Sequence, residues 1–302
     1  MTAEMYEWAP QECPICEVPA AKYLGKRGGQ AHRQQLGVEC EIWQCRKCGL
    51  IFPDPMPIPR QGLDQHYAVS PDEYFQHHQS SQKEAYVAML LQQLDSLQPK
   101  KGKLLDIGAG RGELLRSAKL AGWDAVGIET STTFADYAEA HSAGAVVRRE
   151  PLEDCRFEDN SFEAVVLGAV LEHLYNPNEI VKEIARILRP GGVVFIDVPN
   201  ERGLYFRIGN LYQRLRLRNW VVNLAPTFSP FHVFGFGPKS LRKLLAKHGL
   251  QPKIWYVFAG ESLVPTRKGV AGLLEQTAAK FVTTLSKYRE WGSYIATWAV
   301  KT

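Results

Sequence analysis

Nowhere in its 302 residues does this chain hold about 18 consecutive apolar residues, so no segment reads as a membrane-spanning helix. The first residues, Met1-Thr2-Ala3-Glu4-Met5-Tyr6-Glu7, lack the basic start and apolar run of a signal peptide, and the expected location is the cytoplasm. An excess of one charge is missing too: a formal net charge of +4 is too mild to argue for nucleic acid. Internal repeats and low-complexity tracts are absent, and with them the repeat architectures. A disulfide framework is disfavoured as well. There are six cysteines, and four of them stand in two close pairs, which suits metal ligation in a reducing compartment.

What is present is ordinary globular composition, with 45% hydrophobic and 23% charged residues, over a length that suits one full α/β domain plus a smaller module. Residues 1–58 are rich in Cys, Gly and Pro, and the Phe52-Pro53-Asp54-Pro55-Met56-Pro57-Ile58-Pro59 stretch suits neither helix nor inner strand, which marks a boundary. A helical linker is expected over 59–99, its apolar residues recurring at helical spacing from Ser81 to Leu97 before Pro99. Beyond, over 100–302, strands at 103–107, 124–128, 145–147, 162–167 and 192–198 alternate with helices at 111–121, 132–141 and 177–188, a turn at Arg189-Pro190-Gly191-Gly192 closing the last helix. That rhythm predicts a parallel sheet with helices on both faces. A basic, aromatic segment at 200–237 interrupts it. Helix 238–248, strand 253–259, a helix near 268–288 and a strand at 293–300 follow.

Cys13-Pro14-Ile15-Cys16 and Cys45-Arg46-Lys47-Cys48 form two knuckles whose spacing lets four thiolates face one ion. A set of four leaves no open coordination position, so the expected Zn²⁺ is structural. The other chemistry-bearing stretch is Leu104-Leu105-Asp106-Ile107-Gly108-Ala109-Gly110-Arg111-Gly112, a strand running into a glycine turn that opens a helix. Glycine lets the backbone turn sharply and approach a ligand closely. Asp106 at the strand end disfavours a pyrophosphate and favours a cation. S-adenosylmethionine, with its sulfonium and ammonium, fits, and Glu129 at the end of the next strand is spaced to receive its ribose hydroxyls. Strand 162–167 ends at Gly168-Ala169-Val170-Leu171-Glu172-His173, a loop expected to face the first across the crevice, with Gly168 beside the cofactor. His232 and His173 are the candidate general bases, with Glu172 as orienter of His173, although core or capping roles compete for both histidines. The 202–220 stretch reads as a lid over an anionic or sugar-bearing acceptor, as a membrane-surface contact, or as a helix with a solvated basic face.

These motifs, together with Leu171-Glu172-His173-Leu174, Leu188-Arg189-Pro190-Gly191-Gly192 and the His232 to Leu250 segment, resemble class I S-adenosylmethionine-dependent methyltransferases that carry an N-terminal zinc ribbon. The resemblance implies a Rossmann-like seven-stranded sheet with a reversed hairpin at its edge. It implies that Gly108, Ala109 and Gly110 hold the methionine part of the cofactor and Glu129 its ribose. It puts the adenine loop at Leu152-Glu153-Asp154, where relatives often have an acid two residues before the Glu and this chain has Pro151. Relatives with a cysteine-rich start often serve sugar, polysaccharide or natural-product pathways, so a small-molecule, sugar or glycolipid acceptor methylated on oxygen is expected. An RNA methyltransferase gripping a phosphate backbone, and a scaffold that keeps the fold without catalysis, are the alternatives; the sequence leaves the oligomeric state open.

Overall fold

The computed structural model describes residues 2–60, 80–258, 277, 284–285 and 290–302. Short strands build the first part: β1 (Tyr6–Ala9), β2 (Glu12–Cys13), β3 (Val18–Pro19), β4 (Lys22–Arg27), β5 (Cys40–Gln44), β6 (Ile51–Pro53) and β7 (Met56–Pro59). They pair as three small sheets, β1 with β7, β2 with β3, and β4-β5-β6. Such strands bury little by themselves. Their apolar residues Ile15, Leu50, Phe52 and Met56 instead join the cluster that covers one face of the main sheet.

The main part runs α1 (Ser80–Leu97), β8 (Lys103–Ile107), α2 (Glu113–Leu120), β9 (Asp124–Ile128), α3 (Thr132–His141), β10 (Val146–Arg148), β11 (Phe162–Gly168), α4 (Pro177–Ile187), β12 (Leu188–Pro199), α5 (Leu204–Leu215), α6 (Pro238–Lys247), β13 (Leu250–Phe258) and β14 (Tyr294–Lys301). One seven-stranded sheet results, in the order β10-β9-β8-β11-β12-β14-β13, with β14 antiparallel to both neighbours. This is the expected Rossmann-like sheet, with β14 and the edge strand β13 forming the reversed hairpin. Strand order reverses between β8 and β11, where an open parallel sheet leaves a crevice at the carboxyl ends.

Alternation along the strands divides the core. Leu104, Val166 and Phe195 face α1, α2 and α3, whereas Leu105, Leu167 and Ile196 face α4, α6 and the cysteine-rich strands. By the same parity Asp106, Gly168 and Asp197, at the carboxyl ends of their strands, fall on the α1 side.

Several boundaries differ from the sequence reading. The helix expected from 111 starts at Glu113, because Gly112 adopts φ 78° as its N-cap. The turn expected at Arg189–Gly192 lies inside β12 as a bulge: Leu188 pairs with Phe162 and Val193 with Ala164, leaving four residues opposite Glu163 alone. The strand expected at 253–259 begins at Leu250, and the 200–237 interruption contains helix α5. The helix expected near 268–288 lies largely outside the described residues. Among the described residues no helix is long and apolar enough to cross a membrane.

Candidate active site

The turn after β8 is built by hydrogen bonds to the neighbouring strand. The amides of Gly108 and Ala109 both donate to the Ile128 carbonyl, at 2.8 and 2.9 Å. Gly108 and Gly110 take φ 75° and 54°, left-handed values that favour glycine. A Cβ on Gly108 would stand 2.5 Å from Val170 Cγ2, so the loops after β8 and β11 meet there as expected. Glu129 closes the second side: its Oε2 accepts from the Gly110 amide and its Oε1 from the Ser131 amide, each at 2.9 Å. Burial raises its pKa while those two amides oppose the rise. Leu152 is buried in the core beneath this edge and Glu153 is exposed.

A group that sequence reasoning missed stands at the end of β12. Asp197, in register with Gly168, accepts from the Tyr86 hydroxyl and from the Ala169 amide, both at 2.6 Å. Ala169 holds φ 53° to make that bond, a left-handed conformation unusual for alanine. Burial, reinforced by Asp197, keeps the Tyr86 phenol protonated far above its usual range, so it remains a donor. The available signal was the shared pattern: an apolar strand ending on a carboxylate, as in Leu104-Leu105-Asp106, recurs in Phe195-Ile196-Asp197.

Glu172, His173 and His232 come together although 58 or more residues separate the last from the others. The Val233 and Phe234 amides donate to the Glu172 carbonyl at 2.9 and 3.1 Å, which ties the His232 segment to the loop after β11. Glu172 Oε1 lies 3.8 Å from His232 Nε2 and 4.0 Å from His173 Nε2, and the imidazole rings meet edge to face at 4.8 Å. His173 Nδ1 lies 3.3 Å from the Phe231 carbonyl. Glu172 is buried, and among the described residues its Oε2 has no hydrogen-bond partner. Desolvation pushes the Glu172 carboxyl well above its usual range and pulls the imidazoles down, His173 to about 4 and His232 to about 3. Desolvation thus holds both imidazoles toward their neutral form. The three groups also lie close enough, within 4.8 Å, to share a divalent cation.

These observations bear on the cofactor. Glu172 is a buried acid and Asp197 a half-buried one, and among the described residues neither pairs with a lysine or arginine. Burying carboxylates without a cation is costly, so the crevice suits a positively charged ligand. Backbone cradle, ribose-spaced Glu129 and acids all fit S-adenosylmethionine.

The second cluster is Cys13, Cys16, Cys45 and Cys48, with all four sulfurs within 4.8 Å of one another. All are free of disulfides. Cys13 and Cys48 sulfurs lie 3.5 Å apart, close to the separation of about 3.8 Å that tetrahedral zinc–sulfur bonds impose. Amides of Glu17 and Gly49 donate to the Cys13 and Cys45 carbonyls, closing two matching knuckles, and Lys243 Nζ reaches Cys16 Sγ at 3.1 Å. The donor set fits a structural zinc ion.

Sheet order, glycine turn and acid-lined crevice define a class I S-adenosylmethionine-dependent methyltransferase. The chain belongs to that family: a family model described as a methyltransferase domain matches residues 75–253. Among curated relatives it is 28% identical over 160 residues to a ubiquinone biosynthesis O-methyltransferase of Xanthomonas axonopodis pv. citri, covering 51% of this chain and 65% of that protein. It is 31% identical over 120 residues to the protein of the same name from Paracidovorax citrulli, covering 37% of this chain and 50% of that protein. The chain thus spans between half and two thirds of these relatives' length. A solved S-adenosylmethionine-dependent methyltransferase from Archaeoglobus fulgidus superposes with TM-score 0.54 at 18% identity, over 76% of this chain and 97% of that one. A complex between the Haloferax volcanii Trm112 methyltransferase activator and a methyltransferase matches with TM-score 0.53 at 17% identity, over 77% and 97%. At such identities the likeness is one of fold.

Proposed function

We propose that this protein transfers a methyl group to a hydroxyl of a small-molecule or sugar-bearing acceptor, with His232 as the general base and His173 as the second candidate. S-adenosylmethionine, when bound, supplies an electrophilic methyl whose transfer discharges the sulfonium. Asp106, Gly108, Ala109, Gly110, Glu129 and Gly168 would hold it, with Leu152 and Glu153 toward the adenine. Methyl transfer creates little new charge, so most of the acceleration comes from positioning. A hydroxyl acceptor must still lose its proton. A neutral His232 takes it, and the imidazolium so formed sits 3.8 Å from Glu172 Oε1, so that ionisation of Glu172 alongside it offsets part of the desolvation cost. Tyr86 and the Ala169 amide hold Asp197 at the same edge.

The observation that carries this reading is the buried Glu172 carboxyl at 3.8 and 4.0 Å from the two imidazoles, on the loop that meets the glycine turn at Val170. The O-methyltransferase names of the relatives support the choice of oxygen. We further assign zinc to the four cysteines, which a reducing cytoplasm would keep from pairing as disulfides.

Labelled cofactor with sugar-nucleotide, glycolipid, phenolic and RNA acceptors tests the proposal. Turnover of His232→Ala on the accepted substrate should fall by about 10²–10⁴-fold, while calorimetry shows cofactor binding unchanged. Full turnover by that variant removes His232 as base. Labelled RNA would replace the acceptor class, and failure to bind cofactor at all would leave a scaffold. The mutual proximity of Glu172, His173 and His232 favours one second reading, a divalent cation that orients the acceptor. Turnover abolished by chelation and restored by magnesium or manganese would select it.

A further inference from the structure

Between Arg202 and Gly260 the sequence holds ten lysines and arginines and no aspartate or glutamate. Helix α5 lies in this stretch, and its two faces are unalike. One face is anchored: Asn210 donates to Asn223 Oδ1 at 2.6 Å and accepts from the Val222 amide at 2.9 Å, while Gln213 is buried. Gly209 lies so close to Val222 that a Cβ would meet its Cγ2 at 2.7 Å. The opposite face is exposed and apolar. Tyr205, Ile208, Leu211, Tyr212 and Leu215 recur three and four residues apart and form a single stripe, with Leu215 75% exposed.

Arginines border that stripe. At 3.6 residues per turn Arg207 and Arg214 fall along one margin and Arg216, the C-cap residue, along the other, with Arg218 just beyond. Among the described residues no carboxylate pairs with any of the four. Their contacts are aromatic: Arg216 over Tyr212 at 5.7 Å, Arg218 over Trp220 at 4.7 Å and Arg207 over Trp291 at 5.6 Å. An apolar stripe open to water is unfavourable unless something covers it. Unpaired arginines on both margins fix the sign of the cover: it is negative. Tyrosines along the stripe match the polar–apolar boundary of a bilayer.

We propose that α5 is an interfacial anchor, laying this stripe into the surface of an anionic bilayer while its arginines meet lipid phosphates. The anchor is independent of the chemistry in the crevice. It leaves the sheet just after β12, so the crevice edge and the anchored helix are joined by a few residues, Asn200–Gly203.

Co-sedimentation with vesicles tests it on the full chain. Vesicles of phosphatidylcholine with phosphatidylglycerol should bind the protein at least tenfold more tightly than phosphatidylcholine alone, and high salt should weaken that binding. Leu211→Ser/Leu215→Ser should lower the affinity by about tenfold or more, since two buried leucines are lost. Arg214→Gln/Arg216→Gln should lower it about fivefold per arginine. Both pairs are exposed, and unchanged circular dichroism and cofactor binding will show that the fold is kept. Equal affinity of wild type and both variants overturns the proposal, as does indifference of the wild type to anionic vesicles. So does loss of vesicle binding together with RNA binding, or with a dimer on size-exclusion chromatography, that needs the same side chains.

Discussion

At the residue scale, the proposed chemistry rests on what burial does to three titratable groups. Water is excluded from Glu172 almost entirely and from most of His173 and His232, so each group favours its uncharged form. A histidine serves as base only while unprotonated, and lowering its pKa widens the acid end of its working range. Methyl transfer to a hydroxyl should therefore hold steady as pH falls from 8 through the ordinary imidazole pKa of about 6.5, declining only in more acid solution. A kcat/KM profile with its acid limb centred at pH 7 or above would contradict this. His232 and His173 were visible in the sequence as residues but not as a pair. Nothing in local spacing says that 58 residues of chain return to set one imidazole against another; hydrogen bonds from Val233 and Phe234 to the Glu172 carbonyl do that. Asp197 escaped notice for the same reason, since its partners Tyr86 and Ala169 come from α1 and the loop after β11.

At the scale of elements, the β8–turn–α2 segment is the unit proposed to hold the cofactor. Its shape was legible in advance from context, since the glycine turn follows a strand, opens a helix and has an acid before it and Glu129 at the end of the next strand. The structure adds the reason Gly108 cannot be replaced: φ is 75° and Val170 occupies the space a side chain would need. Left-handed strain of this kind costs about 1–3 kcal/mol for a non-glycine residue. Gly108→Ala should weaken cofactor binding by roughly tenfold to a hundredfold by calorimetry, with the melting temperature only modestly lowered. Unchanged affinity would mean that the turn is structural and the ligand sits elsewhere. The bulge in β12 shows the opposite case. Arg189-Pro190-Gly191-Gly192 reads as a turn from its residues alone, and pairing with β11 on both sides absorbs it into a strand.

At the scale of the whole molecule, the cysteine-rich strands do more than cap an end. Ile51 of β6 and Gly235 exchange both backbone hydrogen bonds, at 3.0 and 2.7 Å, and Phe52 packs against Phe234. The segment bearing His232 is thus held between the cysteine-rich strands on one side and Glu172 on the other. A four-thiolate zinc site supplies about 10–16 kcal/mol of folding free energy, and little else would order strands this short. With zinc on the four cysteines as proposed, stripping it, or Cys45→Ser, should lower the melting temperature and cut turnover at least about tenfold through loss of His232 positioning, while cofactor affinity changes little. Purified protein free of zinc by metal analysis, with full turnover, would sink the assignment.

The sequence by itself determined what local spacing can encode: two Cys-x-x-Cys knuckles, an apolar strand running into a glycine turn, an acid at the end of the next strand, and the alternation that makes a parallel sheet. Each depends on residues a few positions apart, whose geometry the backbone fixes without outside help. Tertiary structure alone decided the rest: that four sulfurs meet at one point, that Asp197 joins Asp106 at the crevice edge, that His232 returns to Glu172, and that the apolar stripe of α5 faces outward. These are contacts between segments far apart in the chain, set by which faces pack together, and no local pattern carries that information.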